Sequence, residues 1–427
     1  MKVGFLTLFA LFSGLVSGQA QSSKVALDEL LYSPKLWETP ISQVMFEWGF
    51  KSNANPKFEW LSLAEDSLRA VRGGYSFEGS EIGETIIRGS RNGVESVTLS
   101  LFNRGDDAQI TPARYDRVFE DWKRLLDRKL RVRSVQQTQG GSLPVTSWVW
   151  KGKSSTFSLE GSIDRGAKRP EFIRLSIKPT IQGRSGSRRG QQVSRRSLAQ
   201  NVQKNDKGDV WIEGIPMVDQ GEKGYCVVAS CERVLSYYGR EVDQHQMARL
   251  AGTSTGGTSI EEMEKAFQAI TKKTSVRTVK LYEFTDRDLR EDVRAYNQAA
   301  KRKSQQTFDV DLKRWVVTPP EFWGSINRET LRDVKASQKG FRSTKTKVRG
   351  YIDQGIPVSW ALMLGLFREV GTPPVVGGHM RLIIGYNQKT DEFIYTDSWG
   401  AGHEVKRLRA DEAYTMTLGM YAMMPAR

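Results

Sequence analysis

Cysteine and histidine are scarce in this chain of 427 residues, which has two of the first and three of the second. Cys226 and Cys231 stand five residues apart in one apolar stretch, and on a helix that spacing turns them about 140° from each other. Such a pair is poorly placed for a disulfide, so a disulfide-built scaffold is excluded and both thiols are read as free. The same scarcity excludes a usual zinc-ligand spacing. No metal and no cofactor are expected.

Long apolar runs are scarce as well. The one at the start, Val3 to Phe12, follows Lys2 and leads through small residues to Ala20; it is too short and too glycine-interrupted for a bilayer span and reads as a signal peptide cut near Ala20. Export to the periplasm or beyond is the expectation. No cysteine stands at the cut to take a lipid, and no later stretch is long and apolar enough to cross a membrane. Nucleic-acid reader motifs are missing too. The net charge of +15 gathers in a few basic runs and bears on solubility and partners, not on a specific nucleic-acid role.

What is present divides the chain. Residues 24–180 read as an N-terminal α+β accessory domain. Runs such as Ser67–Arg72, Glu84–Arg88, Val94–Phe102, Val145–Trp150, Thr156–Gly161 and Phe172–Ile177 have the composition or alternation of strands. Between them Pro112 opens a helix whose Tyr115, Val118, Phe119, Trp122, Leu125 and Leu126 share one face. Residues 181–209, with Arg184, Arg188, Arg189, Arg195 and Arg196 among glycines and serines, read as a basic flexible linker. Residues 210–427 form the second α+β unit, with a polar, helical insertion at about 285–343. Within it, Asp243 caps a short helix carrying His245, read as a packed or solvated residue, and Thr258 with Glu261 makes a capping box.

The chemistry concentrates at Gln220-Gly221-Glu222-Lys223-Gly224-Tyr225-Cys226. A glycine-broken turn delivers Cys226 to the first turn of an apolar helix that Gly239 stops, and the partial positive charge of a helix start favours thiolate over thiol. The Gln220 amide and the Cys226 N–H can then converge on a developing oxyanion. Far along the chain, His379 opens a strand, Asn387–Asp391 is a polar turn, and Glu392–Trp399 returns. Folding back about Gln388 and Lys389 sets His379 opposite Asp397. Four roles then fit together: Cys226 as nucleophile, His379 as base and acid, Asp397 to hold the imidazole, and Gln220 in the oxyanion hole. Trp399 would cover the His379–Asp397 bond, Gly377-Gly378 would admit a substrate backbone, and His403 is read as a loop residue.

At these residues, Gln220-Gly221-x-x-Gly224-Tyr225-Cys226, Gly378-His379 and Asp397-Ser398-Trp399-Gly400, the chain resembles papain-like cysteine peptidases, and more closely bacterial C39-like peptidases, whose third member is an aspartate. The resemblance covers about residues 210–425. It implies a papain-like fold, a helical half and an antiparallel β half with the cleft between them, and thiol peptidase chemistry on a peptide or protein substrate. Papain has Asn where Asp397 stands and Trp where Val227 stands. C39 peptidases act on double-glycine leaders inside transporters, a role that does not carry over to a chain with no membrane-spanning or nucleotide-binding segment. Acyl transfer to an amine, as in transglutaminase-like Cys–His–Asp sites, and a non-catalytic cell-envelope peptide-binding module remain the alternatives.

Overall fold

The computed structural model describes residues 24–49, 58–70, 73–104, 107, 109–139, 145–164, 168–180, 195–221, 225–240, 247, 268, 276–310, 317–372 and 376–425. The expected signal peptide, residues 181–194 of the expected linker, and the segment with His245, Thr258 and Glu261 lie outside them. The chain mixes helices with two eight-stranded sheets, and each sheet has its own hydrophobic core.

The N-terminal sheet runs in the order Phe58–Trp60, Ser67–Ala70, Thr85–Ser90, Gly93–Asn103, Arg169–Pro179, Ser155–Asp164, Val145–Lys151, Val135–Gln139, every neighbour antiparallel. Strict alternation explains its two faces. Ile87, Val97, Leu99, Phe157, Leu159, Leu175 and Ile177 point into the core. Helix Pro112–Leu130 covers that side with Tyr115, Phe119, Trp122 and Leu126. It packs so closely that a Cβ on Gly161 would fall 2.4 Å from the Tyr115 hydroxyl. The other face is polar. Glu84, Arg88, Ser96, Thr98, Glu160, Arg174 and Lys178 line a cavity of about 720 Å³ whose far wall is Pro216, Val218, Asp219 and the end of a second helix, with Glu232 and Tyr237.

That second helix is Cys226–Tyr237, and all its residues but Ser236 are buried. A helix apolar nearly all round belongs inside a protein, and each fully buried Val or Leu contributes about 1.5–3 kcal/mol. Against it lies the C-terminal sheet, ordered Val202–Lys204, Asp209–Ile212, Gly377–Asn387, Val358–Leu364, Thr417–Pro425, Val276–Glu283, with Glu392–Thr396 and Lys406–Arg409 added beside Gly377–Asn387. All these pairs are antiparallel as well.

One expectation needs correction. Residues 195–209 are no linker: Arg195–Leu198 is helical, Val202–Lys204 pairs with Val210–Ile212, and Leu198 is wholly buried. One apolar residue among basic ones gave little sign of this, because its partners are distant in sequence. The segment 285–343, expected as a helical insertion, forms helices Asp286–Arg302, Pro319–Gly324 and Arg328–Ser337. Leu289, Val293, Tyr296, Phe322, Trp323 and Leu331 enter the same core as the cysteine helix.

Candidate active site

Cys226 is the first residue of its helix, with Tyr225 at the cap position. His379 is the third residue of strand Gly377–Asn387, and Asp397 follows the end of strand Glu392–Thr396. The fold brings these three and Gln220 to one place. His379 Nε2 lies 2.7 Å from Asp397 Oδ1, and Cys226 is near enough to the same imidazole to help raise its pKa. With Nε2 committed to the carboxylate, Nδ1 is the ring nitrogen left to exchange a proton. Trp399 stacks on the imidazole with centroids 4.6 Å apart, and His403 sits edge-on to Trp399 at 5.4 Å. His403 is a loop residue, whose carbonyl accepts from Asp397 N–H at 2.9 Å.

The strand register differs from the one expected. Leu382 faces Thr396 and Ile383 faces Tyr395, so the same register continued one step sets Asp397 beside Arg381, two residues past His379. The cause is the turn. Four residues, 388–391, connect the strands, with Asn387 Oδ1 accepting from the N–H groups of Lys389 and Thr390 and Asp391 left-handed at φ 55°. A bulge between Ile383 and Gly385 then takes back one position, which leaves an offset of two. His379 and Arg381 share one face of their strand, and both reach Asp397.

Arg381 is therefore a residue that the sequence reading missed. Its Nε donates to Asp397 Oδ2 at 2.7 Å and its Nη1 to Glu369 Oε2 at 2.6 Å; the Tyr395 hydroxyl donates to the same Glu369 oxygen. The guanidinium lies 4.5 Å over the Tyr395 ring. One charged residue inside Met380–Tyr386, on the histidine's face, was the available signal. Arg233 was missed too. From the cysteine helix, its Nη1 donates to the Asp397 carbonyl at 2.7 Å, its Nη2 to Thr396 Oγ1 at 2.6 Å and its Nε to the Pro216 carbonyl at 2.8 Å. Burial lowers its pKa to about 10, which leaves it a cation at neutral pH. Nothing local in the sequence marks that span of 164 residues.

The carboxylate has a reason to be a carboxylate. His379 Nε2 and the Ser398 N–H address Oδ1, and Arg381 addresses Oδ2. An asparagine offers one acceptor oxygen and turns an NH2 on the other donor. Burial alone would raise the Asp397 pKa, but His379 and Arg381 outweigh it and hold the group well below the usual carboxylate range. For His379, burial alone would lower the pKa, yet the Asp397 charge and hydrogen bond, with Cys226 adding to them, push it up to about 9. Cys231, by contrast, is wholly buried, and burial followed by the nearby Cys226 pushes its thiol far up.

Gln220 is held at both ends. Its N–H donates to the Ser398 carbonyl at 2.8 Å, and its Oε1 accepts from Ser398 Oγ at 2.7 Å, an assignment that follows from the network. With the oxygen so anchored, the NH2 end is directed away from Ser398. The Asp-Ser-Trp-Gly turn thus supports two of the four candidate residues at once. Beside His379, a Cβ on Gly377 or Gly378 would meet nothing within 4 Å, so open room borders the imidazole. Among the described residues no group of three or more His, Cys, Asp and Glu is placed to hold a metal, and no helix is long and apolar enough to cross a membrane.

A thiol near an imidazole that a carboxylate holds is the working arrangement of the thiol-hydrolase class. Comparison with known families narrows it: residues 214–300, which contain Gln220 and Cys226, match the Peptidase C39 family, and residues 321–422, which contain His379, Arg381 and Asp397, match the Peptidase C39 like family. The C-terminal part of the chain is accordingly similar to C39-like, papain-like cysteine peptidases, and peptides or proteins are the substrates such enzymes take. None of the curated proteins matches the chain.

Proposed function

We propose that this chain is an exported thiol peptidase working through a covalent acyl-enzyme on Cys226. The observation that carries the reading is the pinned imidazole: His379 bonded to Asp397 through Nε2, with Cys226 close by at the start of its helix. The thiolate of Cys226 attacks the scissile carbonyl carbon, and the carbonyl electrons move onto oxygen. Gln220 Nε2 and the Cys226 N–H receive that oxyanion. The tetrahedral adduct collapses as His379 Nδ1 hands its proton to the leaving amine, giving a thioester. Water then gives a proton back to His379, attacks the thioester, and releases the acid and the thiolate. Asp397 keeps the imidazole protonated on Nε2 throughout and does not itself take up the proton.

The organisation proposed around this site is a signal peptide ending near Ala20, an accessory α+β domain over residues 24–180, and a basic connection confined to about 181–194. The peptidase unit follows. The separate hydrophobic cores of the two sheets support that division. The test is hydrolysis of casein or a peptide library by wild-type protein and by Cys226→Ala. Turnover should vanish in the variant while its melting temperature stays within a few degrees; a variant that kept full turnover would end the reading.

A further inference from the structure

The N-terminal sheet reaches the turn that carries Gln220. Arg69, in strand Ser67–Ala70, places Nη1 2.9 Å from Asp219 Oδ2 and Nη2 3.1 Å from Glu59. Asp219 immediately precedes Gln220. Its Oδ1 accepts the Gly221 N–H at 2.8 Å, and its Oδ2 lies only 2.8 Å from where a Cβ on Gly400 would stand. The carboxylate thus sits between the glutamine turn and the Asp397-Ser398-Trp399-Gly400 turn. The same hairpin makes a second contact, because the Leu63 N–H donates to Glu404 Oε1 at 2.6 Å and Glu404 Oε2 accepts from Gly402 N–H at 2.8 Å. That loop carries His403, which holds the Asp397 backbone and abuts Trp399. One hairpin, residues 58–70, therefore touches both turns that flank the site.

Charge makes Arg69 the stronger of the two contacts. Asp219 is mostly buried, and burial with the like charges of Glu84 and Glu59 raises its pKa, while Arg69 opposes them. If Arg69 were removed, the carboxylate would take up a proton or turn toward water, and either weakens its hold on Gly221.

We infer that Arg69 is a positioning residue for the oxyanion site: acting through Asp219, it fixes the turn from which Gln220 reaches the pocket, so the N-terminal sheet is a working part of the enzyme and not a cover over it. This rests on the peptidase reading for its catalytic consequence, but the clamp itself is independent of it. The thiol–imidazole pairing does not pass through Arg69. Misplacing an oxyanion donor should therefore lower kcat with little effect on KM or on thiol reactivity.

The test uses the full chain with Arg69→Ala and Arg69→Lys. Hydrogen–deuterium exchange over the peptide containing residues 217–228 should speed up at least several-fold in Arg69→Ala, and peptide turnover should show kcat down about 10- to 100-fold with KM changed less than about threefold. The rate of Cys226 alkylation by iodoacetamide should stay near wild type. Arg69→Lys should recover part of kcat, and added guanidinium at millimolar levels should rescue Arg69→Ala alone. Unchanged exchange in Arg69→Ala would overturn the clamp whatever the turnover. Faster exchange with unchanged kcat would overturn its role in positioning, as would parallel loss of kcat and alkylation, which marks general damage. A wild-type protein that hydrolyses no peptide would instead sink the peptidase reading and leave the clamp to be judged by exchange.

Discussion

Asp397→Asn is the sharpest perturbation of the site, because it changes one atom pair and no volume. The Asn oxygen can still accept from His379 Nε2, but its NH2 then meets the Arg381 Nε–H that Asp397 Oδ2 accepts at 2.7 Å. The charge that opposes burial at His379 is gone. Burial alone lowers an imidazole pKa, so His379 should fall from about 9 to the ordinary value or below. Relative to a histidine at 6.5, the wild-type environment favours imidazolium by about 3 kcal/mol. Losing it shifts the His379 protonation equilibrium away from imidazolium on the order of 100-fold. The sign also sets the pH window. In the wild type the raised His379 pKa contributes stability that is complete below about 6.5 and is lost as pH rises through about 9. The depressed Asp397 pKa contributes stability that is present above the usual carboxylate range and is lost as pH falls below it. NMR titration of the His379 imidazole from pH 5 to 10 reads this without needing a substrate. In wild-type protein the His379 imidazole should titrate near 9; in Asp397→Asn it should titrate at the ordinary value of about 6.5 or below. Superimposable profiles would refute the reasoning.

Arg381→Met should cost about 3–5 kcal/mol of folding stability, read by urea unfolding, because it leaves Asp397 and Glu369 buried without their cation; a loss under 1 kcal/mol would count against a tightly coupled network. Gln220→Ala should lower kcat about 100- to 1000-fold with alkylation of Cys226 unaffected, and Ser398→Ala should give a smaller loss of the same kind, since Ser398 orients the amide. Equal losses of kcat and alkylation in Gln220→Ala would remove Gln220 from the oxyanion site. In native protein iodoacetamide should modify Cys226 and spare Cys231, which is fully buried with a raised pKa, and both should react in urea.

Much of this was legible locally. The apolar spacing from Tyr115 to Leu126 and the β-rich runs up to Ile177 announced the helix and strands of the N-terminal sheet, because periodicity is written in neighbouring residues. The Gln-Gly-x-x-Gly-Tyr-Cys turn and the two later strands announced the four candidate residues for the same reason. The register between those strands was off by two positions, since the turn's side-chain hydrogen bonds and a bulge, not the turn's midpoint, set it. Arg233, Arg381 and Ser398 escaped because their partners are long-range: a buried arginine in sequence looks like any other charge until its acceptors are known. The same holds for Leu198, buried beyond a basic run, and for the Arg69–Asp219 pair, which joins the two sheets.

The claim beneath all of this is that the Cys226 sulfur forms the covalent bond to substrate. Acid-quenching a casein digestion in progress and mapping the protein by mass spectrometry measures that directly. The account predicts an acyl adduct on Cys226, labile to hydroxylamine as a thioester is, and absent from Cys231 and from Cys226→Ala. Steady turnover with no adduct on Cys226, or with an adduct on any other side chain, would contradict it.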